Sequence, residues 1–204
     1  MIKKICSLLF VLSIFSSSFA TNDGDILAKI AAANKQTTSI ESTFKQTRTN
    51  AAKVKTNMTG KLYYKNTKQL SMLYSQPASD KFLISGGIML VKTGTKSMQY
   101  TLSKSPVMNK LANYLLKAFA GQVVEIAQSN NASYTISDDG KNYVIKLTAK
   151  KSAAQGFAKI TLKYRKSDCV LVYMENEEFN HLTNTYELNG VKRNVSISQS
   201  VFAK

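Results

Sequence analysis

In 204 residues the chain has one histidine, His181, two cysteines, two prolines and no tryptophan. Each scarcity excludes something. One histidine cannot build a multi-histidine metal centre, and a histidine-based triad would need a serine or Cys169, with a carboxylate, delivered to His181 from elsewhere in the chain. Nothing local supplies them, so His181 reads as a surface or edge-strand residue. The acidic groups Asp138–Asp139 and Glu175–Glu177–Glu178 have no histidine or cysteine companions and read as solvated turns. No metal, cofactor or enzymatic activity is expected. With so few prolines and no low-complexity linker or repeat, the chain reads as one domain.

Acidic residues are also few. Twelve Asp and Glu stand against 28 Lys and Arg, for a formal net charge of +16. The lysines are dispersed along the outward faces of alternating strands, a poor pattern for nucleic-acid binding. A positive exterior suits anionic headgroups or an acidic partner, through an attraction that weakens with salt.

What is present begins with "MIKKICSLLFVLSIFSSSFA". Lys3 and Lys4 form a basic n-region, Ile5 to Phe15 an apolar core too short for a comfortable span, and "SSSFA" a small-residue cleavage context. A cleavable signal peptide over residues 1–20 is therefore expected, with a single domain over 21–204 and no later spanning segment. Cleavage removes Lys3, Lys4 and Cys6, lowering the net charge by two to +14 and leaving Cys169 alone. An internal disulfide is then impossible, and stability must come from burial. Cys169 itself, placed on an alternating strand, reads as a small buried hydrophobe.

Behind the leader, "NDGDILAKIAAANK" carries Ile26, Leu27, Ile30 and Ala31 at helical spacing. From Ser39 the period changes to two. Ile40 and Phe44 share a face that Gln46 and Arg48 continue, Leu62 and Tyr64 repeat it after Gly60, and Leu70, Met72 and Tyr74 repeat it again. "DKFLISGGIMLVK" reads as a hairpin about Gly86 and Gly87, with Phe82, Ile84 and Leu90 assigned to the same apolar wall. "SPVMNKLANYLLKAFAG" is a second helix, opened by Pro106 and stopped at Gly121, with Met108, Leu111, Leu115, Ala118 and Phe119 on one face. Strands follow: Tyr143, Ile145 and Leu147 on one, and Ile160, Leu162 and Tyr164 on the next. "CVLVYM", "HLTNTYEL" and "NVSISQSVF" complete the set.

The fold class expected is α+β. About ten antiparallel strands must curl or close, so a half-closed barrel with a concave apolar face results, and two amphipathic helices are available to cover it. Either the helices fill the concavity, or the second is a lid over a cavity that takes a guest. Periodicity does not separate these.

From Phe44 to Val91 run an F-x-Q strand at Phe44–Gln46, a G-x-L-aromatic strand at Gly60–Tyr63, a Y-x-x-P exit at Tyr74–Pro77 and the "LISGG" hairpin. On these motifs the stretch resembles the periplasmic outer-membrane lipoprotein carrier family, the LolA-like proteins. Near the end, the strand order and an N-x-x-[IV]-x-x-x-x-F finish at Asn194, Ile197 and Phe202 are similar too, so the resemblance spans nearly the whole mature chain. It implies an incomplete barrel whose interior shelters acyl chains of a lipoprotein or another lipid, behind a lid formed by Met108, Leu111, Leu115 and Phe119. It also implies an inner-membrane donor, an outer-membrane acceptor and a monomeric carrier. Arg48 is the candidate headgroup contact at the cavity mouth.

Two departures stand out. The family's lid-latching arginine and proline correspond to Asn66 and Thr67, and the chain stops at Lys204, where well-studied carriers continue. Relatives of this fold include lipid-sensing envelope regulators and carriers similar to those of aryl-polyene pathways, which remain the alternative expectations.

Overall fold

The computed structural model describes residues 23–150 and 157–204; the expected signal peptide lies outside them. Helix α1 (Asp23–Lys35) leads into β1 (Ser39–Thr49), β2 (Lys55–Lys65), β3 (Gln69–Gln76), β4 (Lys81–Ser85), β5 (Ile88–Thr93) and β6 (Lys96–Thr101). A 3-10 turn (Leu102–Lys104) and helices α2 (Pro106–Phe119) and α3 (Val123–Ser129) follow. The chain then returns as β7 (Ala132–Asp138), β8 (Asn142–Ala149), β9 (Phe157–Arg165), β10 (Leu171–Glu178) and β11 (Thr183–Arg193). All eleven strands form one sheet in the order β6-β5-β4-β3-β2-β1-β11-β10-β9-β8-β7, antiparallel at each pairing. β6 and β7 are the two edges and do not pair. The α+β open barrel is therefore as expected, and the connection that carries α2 and α3 runs from one edge to the other.

Tight turns follow from local chemistry. Gly86 and Gly87 have φ of +58° and +76°, the left-handed pair that a two-residue hairpin needs to match strand twist. In the β7–β8 turn, Asp139 accepts from the Asn142 backbone N–H at 2.8 Å, and Gly140 takes a positive φ. Gly60 has a different task. A Cβ there would lie 2.2 Å from the Leu73 carbonyl oxygen and 2.8 Å from the Phe44 ring. Its bare backbone, beside a register shift in the β2–β3 pairing, lets Phe44 and Tyr74 meet across it edge to face, with ring centroids 5.0 Å apart.

Two apolar clusters form on opposite faces of the sheet. The larger joins the helices to the concave face: Ile30 of α1, Ala118 and Phe119 of α2 and Ile126 of α3 pack with strand residues including Phe44, Leu62, Tyr64 and Ile145. The smaller lies outside and consists of Leu83, Leu90, Ile197 and Phe202.

Several expectations change. Leu90 does not belong to the concave wall: the hairpin register sets Leu83 opposite Leu90 and Ile84 opposite Met89, so Met89 faces in and Leu90 faces out. Residues 194–202 are not a strand, because both sides of β11 are already occupied by β1 and β10. The segment instead crosses the outer face to a 3-10 turn (Gln199–Phe202), where Ser71 donates to the Val201 carbonyl at 2.7 Å and Ser39 to the Val195 carbonyl at 2.6 Å. Asn194 closes the corner by accepting from the Thr38 backbone N–H at 2.9 Å. Cys169 sits in the β9–β10 turn with φ +57° rather than on a strand. It is nonetheless buried, and burial pushes its thiol pKa up, away from reactive thiolate character.

Candidate functional site

Alternation along β1 places Ile40, Phe44 and Gln46 on the concave side, and hydrogen-bonded pairing carries that face across the sheet. Leu62, Leu70 and Tyr64 are fully buried and Met72 nearly so; Phe82 and Ile84 continue the wall on β4. On the other wing Ile145, Leu147, Ile160, Leu162 and Tyr164 are buried, and Tyr143 is partly exposed at the rim, where its hydroxyl accepts from Lys29 at 3.2 Å. With the exception of Leu90, these side chains all pack in the one cluster beneath the helices.

Helix α2 is anchored unevenly over this wall. Toward its C-terminal end Ala118 and Phe119 are fully buried, Phe119 stacks on Tyr64 at 5.3 Å, and the Tyr164 hydroxyl donates to the Ala118 carbonyl at 2.7 Å. Gly121 then ends the run at φ +70°, where a Cβ would press on the Ile30 carbonyl at 2.9 Å. The N-terminal end is looser. Val107 is 42% exposed, and Met108 and Leu111 are only partly buried.

Under that looser end lies a hollow of about 350 Å³, lined by Val107, Met108 and Leu111 of α2 together with Phe157 and Phe179. Lys110, Asn130, Glu178 and Asn180 stand around it. The volume falls in the range of about 300–1,000 Å³ typical of small-molecule sites. A larger hollow of about 630 Å³ lies away from the wall, between α1 and α3, next to Thr67. Leu27, Ala28 and Ala31 of α1 and Val123 of α3 are in its lining; neither hollow is lined by the residues assigned to the wall, and only the smaller one reaches Met108 and Leu111 of the assigned lid. Asn66 and Thr67 form the β2–β3 turn with φ of +52° and +55°. The Thr67 hydroxyl is occupied by the Asn66 carbonyl at 2.6 Å and makes no bond to α2.

Behind the 350 Å³ hollow the interior becomes polar. Tyr114 packs on Phe157 with centroids 5.1 Å apart and is 1% exposed. Its hydroxyl has no hydrogen-bond partner among the described residues. Gln46 is the centre of a small network: its carbonyl accepts from the Tyr74 hydroxyl at 2.7 Å, and its amide donates to the Tyr186 hydroxyl at 3.1 Å and to Asn184 at 3.2 Å. Burial holds all three of these tyrosines in the neutral form, pushing Tyr186 up to about 12 and Tyr74 and Tyr114 higher still. Arg48 lies one pair further along the same face, opposite Asn184, and is exposed.

The network was half visible in the sequence. Gln46 and Arg48 follow from alternation, but Tyr186 and Asn184 were hidden because their strand, "HLTNTYEL", has too few apolar residues to reveal its inner face. Tyr114 sits three residues after Leu111 and four before Ala118, a spacing that marks it as buried. Phe157 and Phe179 carry no periodic signal.

The two residues weighed for nucleophilic chemistry lie at opposite ends of β10. His181 is exposed in the β10–β11 turn, 3.7 Å from Glu177, while Cys169 is buried at the opposite turn of β10. Among the described residues no group of three His, Cys, Asp or Glu could hold a metal ion, and no helix is long and apolar enough to cross a membrane.

The sequence model of the family described as outer membrane lipoprotein carrier protein LolA matches residues 35–204, from the end of α1 through the last residue. The chain belongs to that family. No curated protein matches it. Among solved structures, an uncharacterized conserved protein from Thermus thermophilus is similar at 7% identity and a TM-score of 0.52, covering 90% of this chain and 94% of that one. The MucA/MucB complex of Pseudomonas aeruginosa is similar at 12% identity and a TM-score of 0.51, covering 88% of this chain and 60% of that one. A LolA superfamily protein from Nitrosomonas europaea matches at 11% identity and a TM-score of 0.43, covering 91% and 99%. At these identities the likeness is one of fold.

Proposed function

We propose that this LolA-family protein is a periplasmic carrier that receives acyl chains under the N-terminal half of α2 and shelters them during transfer toward the outer membrane. In this reading residues 1–20 are a cleaved export signal and 21–204 the working domain, which is monomeric, non-enzymatic and passes cargo from an inner-membrane donor to an outer-membrane acceptor. The observation that carries it is the uneven anchoring of α2 above a continuous apolar wall. Val107, Met108 and Leu111 border an open hollow, whereas Leu115 and Phe119 are seated. Each methylene in water costs about 0.8 kcal/mol, so a chain of roughly 15 methylenes needs on the order of 12 kcal/mol of shelter. The wall residues from Phe44 to Tyr164 would supply that shelter by repacking, with Met72 and Met108 as adaptable contacts.

Charge supports delivery to anionic surfaces. From Ser42 to Val124 the sequence has thirteen Lys and Arg and a single acid, Asp80. The ion pairs Lys159–Glu177, Lys163–Asp139, Arg165–Asp168 and Lys166–Asp138 all belong to the other wing. The β2–β6 wing is thus basic and, among the described residues, has no ion pair; Arg48 on neighbouring β1 would meet a headgroup.

Native mass spectrometry of the mature protein, purified without detergent, tests the reading: bound masses of acylated species are expected, and a mass matching the bare polypeptide after growth in lipid-replete cells would count against it. A second reading is a sensor that reports lipid occupancy to a protein partner. It draws on the fold shared with a protein solved in complex with MucA. Transfer of labelled lipid from inner-membrane to outer-membrane vesicles separates the two, since only a carrier would move lipid between them.

A further inference from the structure

Resting on the carrier reading, we propose that the interior of the half-barrel holds a binding subsite for the polar end of the guest: the Tyr114 and Tyr186 hydroxyls donate to an acceptor oxygen, a carboxylate or an ester or amide carbonyl, that enters with the acyl chain. The basis is an account of donors and acceptors. Both amide hydrogens of Gln46 are engaged, one on Tyr186 and one on Asn184, and its carbonyl takes the Tyr74 hydrogen. The Tyr186 oxygen is therefore an acceptor in this network, and its own hydrogen has no acceptor among the described residues. Tyr114 is almost wholly buried, and its hydroxyl has no partner among the described residues.

Two O–H donors thus lie in the interior with no acceptor between them, Tyr114 against Phe157, which lines the 350 Å³ hollow, and leaving a buried donor unmet is costly. One carboxylate, Glu178, rims the hollow, but it accepts from the Asn180 amide at 3.3 Å and bonds neither tyrosine. Alternation on β10 places Met174 and Asn176 inward and Glu175 outward, and Glu175 already accepts from Tyr173 at 2.7 Å and from Thr185 at 3.3 Å. Arg48, on the same inner face beside Asn184, adds a positive field at the mouth. Two unmet donors beside a cation select an oxygen with free lone pairs; they give nothing to a bare hydrocarbon. The apolar lining of the outer hollow, Val107, Leu111 and Phe179, is where the chain itself would run.

The test uses dodecanoic acid, methyl dodecanoate and dodecane, each displacing an apolar fluorescent probe from the purified protein. Binding of the acid and the ester is expected to exceed that of dodecane. Tyr114→Phe, which keeps the ring on Phe157, should cut that preference roughly five- to tenfold, the factor for one hydrogen bond. Tyr186→Phe should cut it again. Because the variant removes an unmet buried hydroxyl, the empty Tyr114→Phe protein should melt no lower than the parent, which separates lost binding from lost folding. A preference unchanged in Tyr114→Phe overturns the subsite while leaving the carrier reading intact. Failure of all three ligands, dodecane included, overturns both. The acid and ester arms distinguish the two oxygen sources: a site tuned to a carboxylate binds the acid more tightly, and one tuned to a carbonyl treats them alike.

Discussion

Helix α2 should open from one end. Its first turns hold on through Val107, Met108 and Leu111, all partly exposed, and its last through Tyr114, Leu115 and Phe119, all buried. Fully burying a large apolar side chain contributes about 1.5–3 kcal/mol, so the half-buried outer set is worth about 2 kcal/mol and the inner set about 6 kcal/mol or more. The Tyr164 hydroxyl bond to the Ala118 carbonyl adds about 1 kcal/mol to the inner end. A difference of about 5 kcal/mol corresponds to a factor of roughly 10³–10⁴ in local opening. Amide exchange in the empty protein should therefore fall steeply along residues 107–119, with the last turn as protected as β9. Acyl ligand should slow the first turns most. Leu111→Ala should cost about 1 kcal/mol and speed ligand release, whereas Phe119→Ala, deleting a fully buried ring, should cost about 3–5 kcal/mol and loosen the whole domain. Uniform, high protection from Val107 to Phe119 without ligand would mean that α2 is ordinary core, and the reasoning would fail.

Replacing Gly60 by alanine forces its Cβ against the Leu73 carbonyl and the Phe44 ring, so a loss of about 1–3 kcal/mol is expected in urea denaturation, from overpacking that the backbone oxygen cannot relieve. At high pH, Tyr64, fully buried, and Tyr186, partly so, both pushed up to about 12 by desolvation, stay neutral while their unfolded counterparts ionise near 10. The folded state then binds more protons, so stability should hold below pH 10 and fall as pH rises toward 12; ultraviolet titration should show tyrosinate appearing together with unfolding. At low pH the reverse applies to Asp139, held at about 2 chiefly by the Lys163 ammonium: its contribution is present above about pH 4 and is lost as pH falls toward 2. Asp139→Asn should flatten that part of the acid-unfolding curve, measured by circular dichroism.

Alternation made the concave wall legible wherever one face alone was apolar, as in β2, where Leu62 and Tyr64 are buried and their neighbours are not. It failed on β5, where Met89 and Leu90 are both buried because the C-terminal segment covers the outer face. That segment itself alternates like a strand yet has no edge to pair with, a fact of topology that no local pattern records. Helix α3, seven residues beginning Val123–Val124, is too short and too β-branched at its start to announce itself. The edge strands β6 and β7 bury almost nothing, and so carried no pattern to read. The polar interior was the least visible feature, because Gln46, Asn184 and Tyr186 are brought together from strands some 140 residues apart in sequence.

The edges of the sheet are also the ends of the segment that crosses it. β6 and β7 do not pair with each other, and the chain between them, through α2 and α3, spans the gap as a strap fastened at both buckles. A strap cannot swing away like a flap. Lifting its outer half must draw on the gap itself, so the width of the seam and the height of the helix above the wall are one mechanical coordinate. A bulky guest would then be felt at β6 and β7, and a partner that grips either edge would tighten or slacken the helix without touching it.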